Sequence, residues 1–251
     1  MRYFIECSYN GARYAGWQRQ PDDPTVQQTL EEAFSLILRE EIAITGCGRT
    51  DADVHAQQYY FHLDTNQEFT PELLYRFNKF LPEDIGLHAV HTVPDNASAR
   101  FDAVRRTYQY YLKFTKDVMS PGLALWYPHK DNLNFAAMQE VSNAITQYKE
   151  FKSFCKEGSD AKHYLCDVTQ ARWIFTERDA ILTISANRFL RGMVRLIVGA
   201  CLEVGQGKLT IEEIKTALDE QTPVPRAVSA PAHALHLVSV EYPAGLLTKL
   251  F

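Results

Sequence analysis

The short apolar run from Tyr3 to Tyr9 has the length and composition of a strand, and the segment after it, Asn10 to Pro24, with two glycines and two prolines, reads as a loop. The pattern changes at Thr25. Gln28, three residues on, makes a capping-box start, and Val26, Leu30, Ala33, Phe34, Ile37 and Leu38 fall on one face at helical spacing. Strands are predicted at Glu41 to Thr45 and Val54 to Leu63, a helix from about Pro71 to Phe80, and a strand around Ile85 to Val93. A β-rich run from Arg106 to Phe114 carries Tyr108 and Tyr110 on one face by period two, where they also fit as a sheet-packing pair.

The second half repeats the theme. A helix is predicted over Asn134 to Gln147, strands near Tyr164 to Phe175 and Ala180 to Ser185, helices from about Arg188 to Val204 and Ile211 to Leu218, and a closing strand over Leu235 to Tyr242. Two strand-and-helix halves with hairpins predict an α+β fold: two lobes of mixed, mostly antiparallel sheet, with helices packed on one side and a central cleft. No low-complexity linker divides the lobes, which are expected at residues 1–103 and 104–251.

Composition narrows the class. A chain of 251 residues, 46% hydrophobic and 23% charged, can bury a sizeable core as a globular protein. Its 26 basic and 31 acidic residues leave a net charge of −5, so no global field draws in a polyanion and any nucleic-acid role needs a local basic surface. Five cysteines, at 7, 47, 155, 166 and 201, include no CxxC pair and cannot all be paired; they are expected to be reduced thiols in a cytoplasmic protein without zinc. The first residues, MRYFIECSYN, carry Glu6 inside their apolar run, and the most apolar later stretch, Met193 to Val204, is interrupted by Arg195, so neither a signal peptide nor a membrane span is expected.

The densest chemistry lies in Gly48-Arg49-Thr50-Asp51-Ala52-Asp53-Val54-His55-Ala56-Gln57. Run as an extended segment, it places Arg49, Asp51, Asp53 and His55 on one face and Thr50, Ala52, Val54 and Ala56 on the other. An arginine two residues from Asp51 favours its ionised form, which suits a nucleophile or general base. The same spacing also suits a solvated polar hairpin edge. A second signal is the recurrence of Arg188, Arg191 and Arg195 at i, i+3 and i+7 along the predicted helix, opposite an apolar stripe of Phe189, Met193, Leu196, Ile197, Ala200 and Val204. Such a row is either the wet side of a helix or a comb for phosphates.

Taken together, several segments resemble the tRNA pseudouridine synthase A family. They are Tyr9 to Gln18 (YNGARYAGWQ), Val26-Gln27 ahead of Leu30-Glu31, Gly48-Arg49-Thr50-Asp51-Ala52 with Val54-His55, and Ala99-Arg100-Phe101. Arg106 with Tyr108 and Tyr110 follows, then Ala186-Asn187, Phe189 and Met193-Val194-Arg195 with Gly199 and Glu203-Val204-Gly205, and finally Leu235, Leu237 and Tyr242. They occur in the family's order and cover nearly the whole chain.

The resemblance implies a pseudouridine synthase fold and an isomerase that converts uridine to pseudouridine at positions 38 to 40 of the tRNA anticodon stem and loop. It implies a homodimer that needs no metal or organic cofactor. The family's one aspartate looks like Asp51; Tyr108 is similar to the tyrosine that stacks on the target base, and Arg195 to the basic residue that pairs with the aspartate across the cleft. Arg49 is expected beside Asp51, and Arg13, Arg19, Arg100, Arg106, Arg188 and Arg191 are candidate RNA contacts. Three positions depart from the family pattern: Asp53 stands where glycine is usual, Asn10 where aspartate is usual, and Ala234 replaces a late glycine.

Two other readings share these residues. Asp51, Asp53 and His55 form a DxDxH pattern that a metal-dependent phosphohydrolase would use, although His62, His88, His91, His129, His163, His233 and His236 are scattered and no other acid-rich or histidine-rich ligand cluster accompanies it. A noncatalytic RNA-binding relative would keep the basic residues and do no chemistry.

Overall fold

The structure, a computed structural model, describes residues 1–159, 161–226 and 228–251. In chain order it begins with β1 (Arg2–Tyr9), α1 (Val26–Leu38), the two-residue β2 (Thr45–Gly46), β3 (His55–Asp64), α2 (Pro71–Phe80) and β4 (Ile85–Val93). There follow β5 (Arg105–Lys113), β6 (Leu125–Trp126), α3 (Phe135–Ile145), β7 (Val168–Phe175) and β8 (Asp179–Ala186). The chain closes with α4 (Met193–Gly205), α5 (Ile211–Glu220), β9 (Leu235–Glu241) and β10 (Thr248–Lys249). This is an α+β fold.

Two compact units emerge, Met1–Arg106 with His236–Phe251, and Thr107–Leu235. The expected lobes at 1–103 and 104–251 differ from this division at the closing segment, for a reason visible in the strand pairing. β9 joins β3 in parallel, His55 opposite His236 and Ala56 opposite Leu237, and β10 adds to β4. The sheet of the first unit therefore runs β10-β4-β1-β3-β9, with β1 antiparallel to both β3 and β4.

Side chains on the two faces of that sheet explain its apolar runs. Facing α1 and α2 is an aromatic cluster: Phe34 of α1 stacks on Phe77 of α2 at 4.1 Å and meets Phe61 of β3 edge-on at 5.6 Å. The opposite face is also covered, with Phe4 and Tyr60 each 5.3 Å from the ring of Tyr242. Burial on both sides is why β3 reads as an unbroken run, Tyr59 to Leu63, without alternation. Helix α1 starts as predicted, Thr25 Oγ1 accepting from the Gln28 amide at 3.2 Å, and its whole predicted apolar stripe is buried. The side chain of Gln28, however, turns to Glu32.

In the second unit β8 lies between β5 and β7, antiparallel to β7, and β6 pairs in parallel with β5. Helix α3 packs on β7, α4 and α5, and Phe135 of α3 stacks on Phe175 of β7 at 4.2 Å.

Three predicted elements changed. The alternation at Glu41 to Thr45 does bury Ile42 and Ile44, but the backbone amides there bond to side chains, Ile42 to Ser35 and Ile44 to Glu31, so only Thr45–Gly46 ladders with β3. Leu165 makes an isolated bridge to Glu150, and the strand expected from Tyr164 starts at Val168. Helix α4 starts at Met193, five residues beyond Arg188, because Gly192 adopts φ +71°, a left-handed conformation that breaks the helical path.

All five cysteines are free, and burial pushes the Cys47 thiol up to about 11, which keeps it protonated and inert at neutral pH. Among the described residues no helix is long and apolar enough to cross a membrane.

One polar group sits within the first unit's sheet. The His91 ring, whose Nε2 is 3.9 Å from Glu6, together with hydrogen bonds from Gln58 and Tyr60, holds the Glu6 carboxyl down to about 2, against the opposing effect of burial. A depressed carboxyl contributes stability above its unfolded value, near 4.5, and that contribution is lost as pH falls toward 2. Urea titrations stepped from pH 5 to pH 2 should show the parent chain losing on the order of 1–2 kcal/mol more than Glu6→Gln. Parallel losses would show that Glu6 gains nothing on folding.

Candidate active site

The segment around Asp51 is held by the loop that follows β1. The amide of Trp17 donates to the Thr50 carbonyl at 3.2 Å, and the hydroxyls of Tyr9 and Thr50 share a buried hydrogen bond of 2.8 Å. Gly16, at φ +102°, permits this approach: a Cβ there would lie 2.6 Å from the Thr50 oxygen. On the other side the Tyr59 hydroxyl donates to the Gly48 carbonyl at 2.6 Å, and the Cys47 amide bonds to the Tyr60 carbonyl. Trp17 is itself buried, its ring 4.1 Å from that of Tyr59, so the aromatic residue of the first loop fills the core.

Asp51 is half-buried at the first position of a tight turn, where its carbonyl accepts from the Val54 amide at 3.2 Å. Asp53 occupies the third position with φ +65°, as in a type II turn. That is the left-handed conformation a glycine takes most easily, and aspartate is among the few side chains that tolerate it. The Asp53 amide points back to the Tyr14 carbonyl, 3.4 Å away.

This turn corrects the expectation of an extended stretch with Arg49, Asp51, Asp53 and His55 on one face. Asp53 and Arg49 are exposed, whereas His55 is buried beyond the turn, its Nδ1 accepting from the Gly11 amide at 3.0 Å and its ring 4.7 Å from that of His236. The DxDxH pattern is thus split, and among the described residues no group of three or more His, Cys, Asp or Glu is placed to hold a metal ion.

In the second unit Tyr108 is half-buried on β5 and meets Phe189 edge-on at 5.3 Å. Tyr110, two residues on, is fully buried and donates its hydroxyl to Pro231, so the predicted pair divides into one accessible ring and one core ring. Arg195 is half-buried on α4, its Nε donating to the Ala230 carbonyl at 2.7 Å. The expected row of arginines on one helical face is not formed, because Arg188 and Arg191 precede the first turn of α4. Arg188 lies 2.8 Å from a ring nitrogen of His163, and the exposed Arg191 donates to the Gly158 carbonyl.

The remaining arginines belong to the first unit. Arg13 is largely exposed and 3.5 Å from Asp84, and Arg19 pairs with Glu31 at 3.1 Å. Arg100 is exposed, its guanidinium 5.4 Å from the ring centre of Phe101. Arg106, expected as an RNA contact, is committed to its own fold: Nη1 donates to the Ala103 carbonyl and Nη2 to those of Cys47 and Arg100. Sequence reasoning did not single out Tyr9, Tyr14 and Tyr59 as the clamps of the Asp51 segment. Tyr9 ends β1, and Tyr14 lies in the loop that follows it.

A half-buried carboxylate on an immobile backbone is suited to attack on, or proton removal from, a bound substrate. Comparison with known proteins identifies the lineage. Residues 148–243 match a family model described as tRNA pseudouridine synthase. A protein named tRNA pseudouridine synthase A from Porphyromonas gingivalis is 44% identical, covering 98% of each chain. Proteins of the same name from Azobacteroides pseudotrichonymphae and Chlorobaculum tepidum are 40% and 35% identical, covering 96% and 95% of this chain and 97% and 96% of their own. Identity of this extent reaches well beyond the residues the family model matches, and so this chain, with its pseudouridine synthase fold, belongs to the tRNA pseudouridine synthase A family.

Proposed function

We propose that this chain isomerises uridine to pseudouridine in tRNA, at positions 38 to 40 of the anticodon stem and loop, with Asp51 as the reacting carboxylate. What supports the reading is Asp51 itself, half-buried on a turn whose flanking backbone is fixed by Trp17, Tyr9 and Tyr59, in a chain similar along its length to enzymes named for this activity. The reaction breaks the N1–C1′ bond, turns the uracil and joins C5 to C1′; C5 loses a proton and N1 gains one, so the change is redox-neutral and needs no second substrate. A single carboxylate serves by attack on C1′, addition at C6, or proton removal from C2′. Tyr108 and Arg195 are assigned to the same uridine, the first by stacking on the base and the second as a cation, with Arg49 as a further positive charge beside Asp51. A paired base must leave its stack at a cost of a few kcal/mol, which stacking and phosphate contacts offset.

The enzyme is read as a cytoplasmic homodimer without a cofactor. Arg13, Arg19, Arg188 and Arg191 are the proposed phosphate contacts, with Arg106 retained as a brace of its own segment. Their local positive charge makes a net charge of −5 compatible with an RNA substrate. The metal reading has no such support, since its three donors are separated by the turn at Asp53.

Purified protein incubated with unmodified tRNA transcript, followed by base-resolved mapping, should yield pseudouridine confined to positions 38 to 40; product elsewhere, or none, overturns the assignment. Asp51→Asn should abolish product while leaving tRNA affinity within a few-fold, and undiminished product from that variant refutes the role of the carboxylate. Activity should persist in EDTA, whereas loss on chelation revives the metal mechanism. Arg191→Glu should weaken tRNA binding and reduce the slope of log K against log salt by about one phosphate contact; an unchanged slope assigns Arg191 to a merely solvated surface.

A further inference from the structure

The segment Ser98 to Ala103 holds an aromatic ring in water on a rigid base. Ser98 donates its amide to the Asp102 carboxylate at 2.7 Å, and the Asp102 amide returns to the Ser98 carbonyl at 3.0 Å. The Ala99 amide bonds to Nδ1 of the buried His62 at 3.1 Å, and the Tyr242 hydroxyl donates to the Ala99 carbonyl at 2.6 Å. Burial pushes the His62 imidazole below its usual range, in keeping with a neutral ring that accepts at Nδ1. Arg106 closes the arrangement through the carbonyls of Arg100 and Ala103. Ala97, Ala99 and Ala103 are buried as a result, yet Phe101 in their midst is 80% exposed.

A lone exposed apolar residue ordinarily requires no explanation. Phe101 differs in that a dense hydrogen-bonded turn fixes its backbone, and the Arg100 guanidinium sits 5.4 Å from its ring centre. The turn is also continuous with the Asp51 segment: one nitrogen of Arg106, Nη2, reaches the Arg100 carbonyl at 2.6 Å and the Cys47 carbonyl at 2.8 Å, four residues before Asp51. A preorganised phenyl face beside a cation offers stacking to a base and charge to the adjoining phosphate, the combination by which proteins hold unpaired nucleotides.

We propose that Phe101 is a stacking platform for an unpaired base of the tRNA substrate, with Arg100 on the adjacent phosphate, a role that rests on the tRNA activity proposed above. The test measures equilibrium binding of unmodified tRNA transcript at several salt concentrations in the full chain carrying Asp51→Asn, so that no turnover intervenes. Adding Phe101→Ala should weaken binding about ten-fold without changing the salt slope, Phe101→Leu should behave like the alanine variant, and Phe101→Tyr should stay within about two-fold of the parent. Arg100→Ala should instead flatten the salt slope by about one contact. Unchanged binding by Phe101→Ala overturns the proposal, and so does full rescue by leucine, which marks an apolar wedge. A changed sedimentation coefficient for Phe101→Ala also overturns it, by assigning the ring to contact between copies of the chain. Product formation by the chain with Asp51 intact is assayed alongside. Its failure refutes the parent activity, while the binding series judges Phe101 separately.

Discussion

The hydrogen bond from the Trp17 amide to the Thr50 carbonyl is the constraint on which the placement of Asp51 depends. A carboxylate in the role proposed for Asp51 cannot ride on a backbone free to shift, since a displacement of an ångström removes most of the advantage of orientation. Here the residue before Asp51 is tethered at its carbonyl and its hydroxyl, and the residues after it are folded into a turn whose third position has positive φ. Trp17 secures this because its ring is locked in the core against Tyr59, whose hydroxyl holds Gly48. The same aromatic contacts thus stabilise the first unit and set the geometry of the Asp51 turn.

Much of this was legible in the sequence, and the reasons are local. Helix α1 was readable because its capping threonine and its apolar stripe are both short-range signals, and each survives in the structure. The reactive segment was readable as chemistry but not as shape. Two-residue alternation assumed extended backbone; the one sign of a turn was Asp53 standing where glycine is usual, which fits its φ of +65°, and no residue type announced that His55 would enter the core. The row of arginines failed because helical spacing was carried through Gly192, a poor helix former whose left-handed conformation sets the helix start beyond it. The hydrogen bonds of Arg106, two to carbonyls of its own stretch of chain and one to the distant Cys47, leave no trace in its sequence neighbours.

Charge in this protein is distributed with a division of labour. Arg2 is paired with Asp64 at 2.7 Å and Arg106 with carbonyls, both in the service of the fold. Others, such as Arg49, Arg100 and Arg191, stand exposed. Counting basic residues would miss the distinction. An acidic protein meets a polyanion through the side chains its own architecture has not already engaged.

The return of the closing strands carries a consequence for biogenesis. Since β9 and β10 complete the sheet begun by β1, β3 and β4, while residues 107–235 form their own unit in between, the amino-terminal sheet stays short of two strands throughout translation of the middle of the protein. A nascent chain emerging from the ribosome therefore lacks partners at the start of β3, which β2 does not cover, and at the end of β4 for the time needed to synthesise well over a hundred residues.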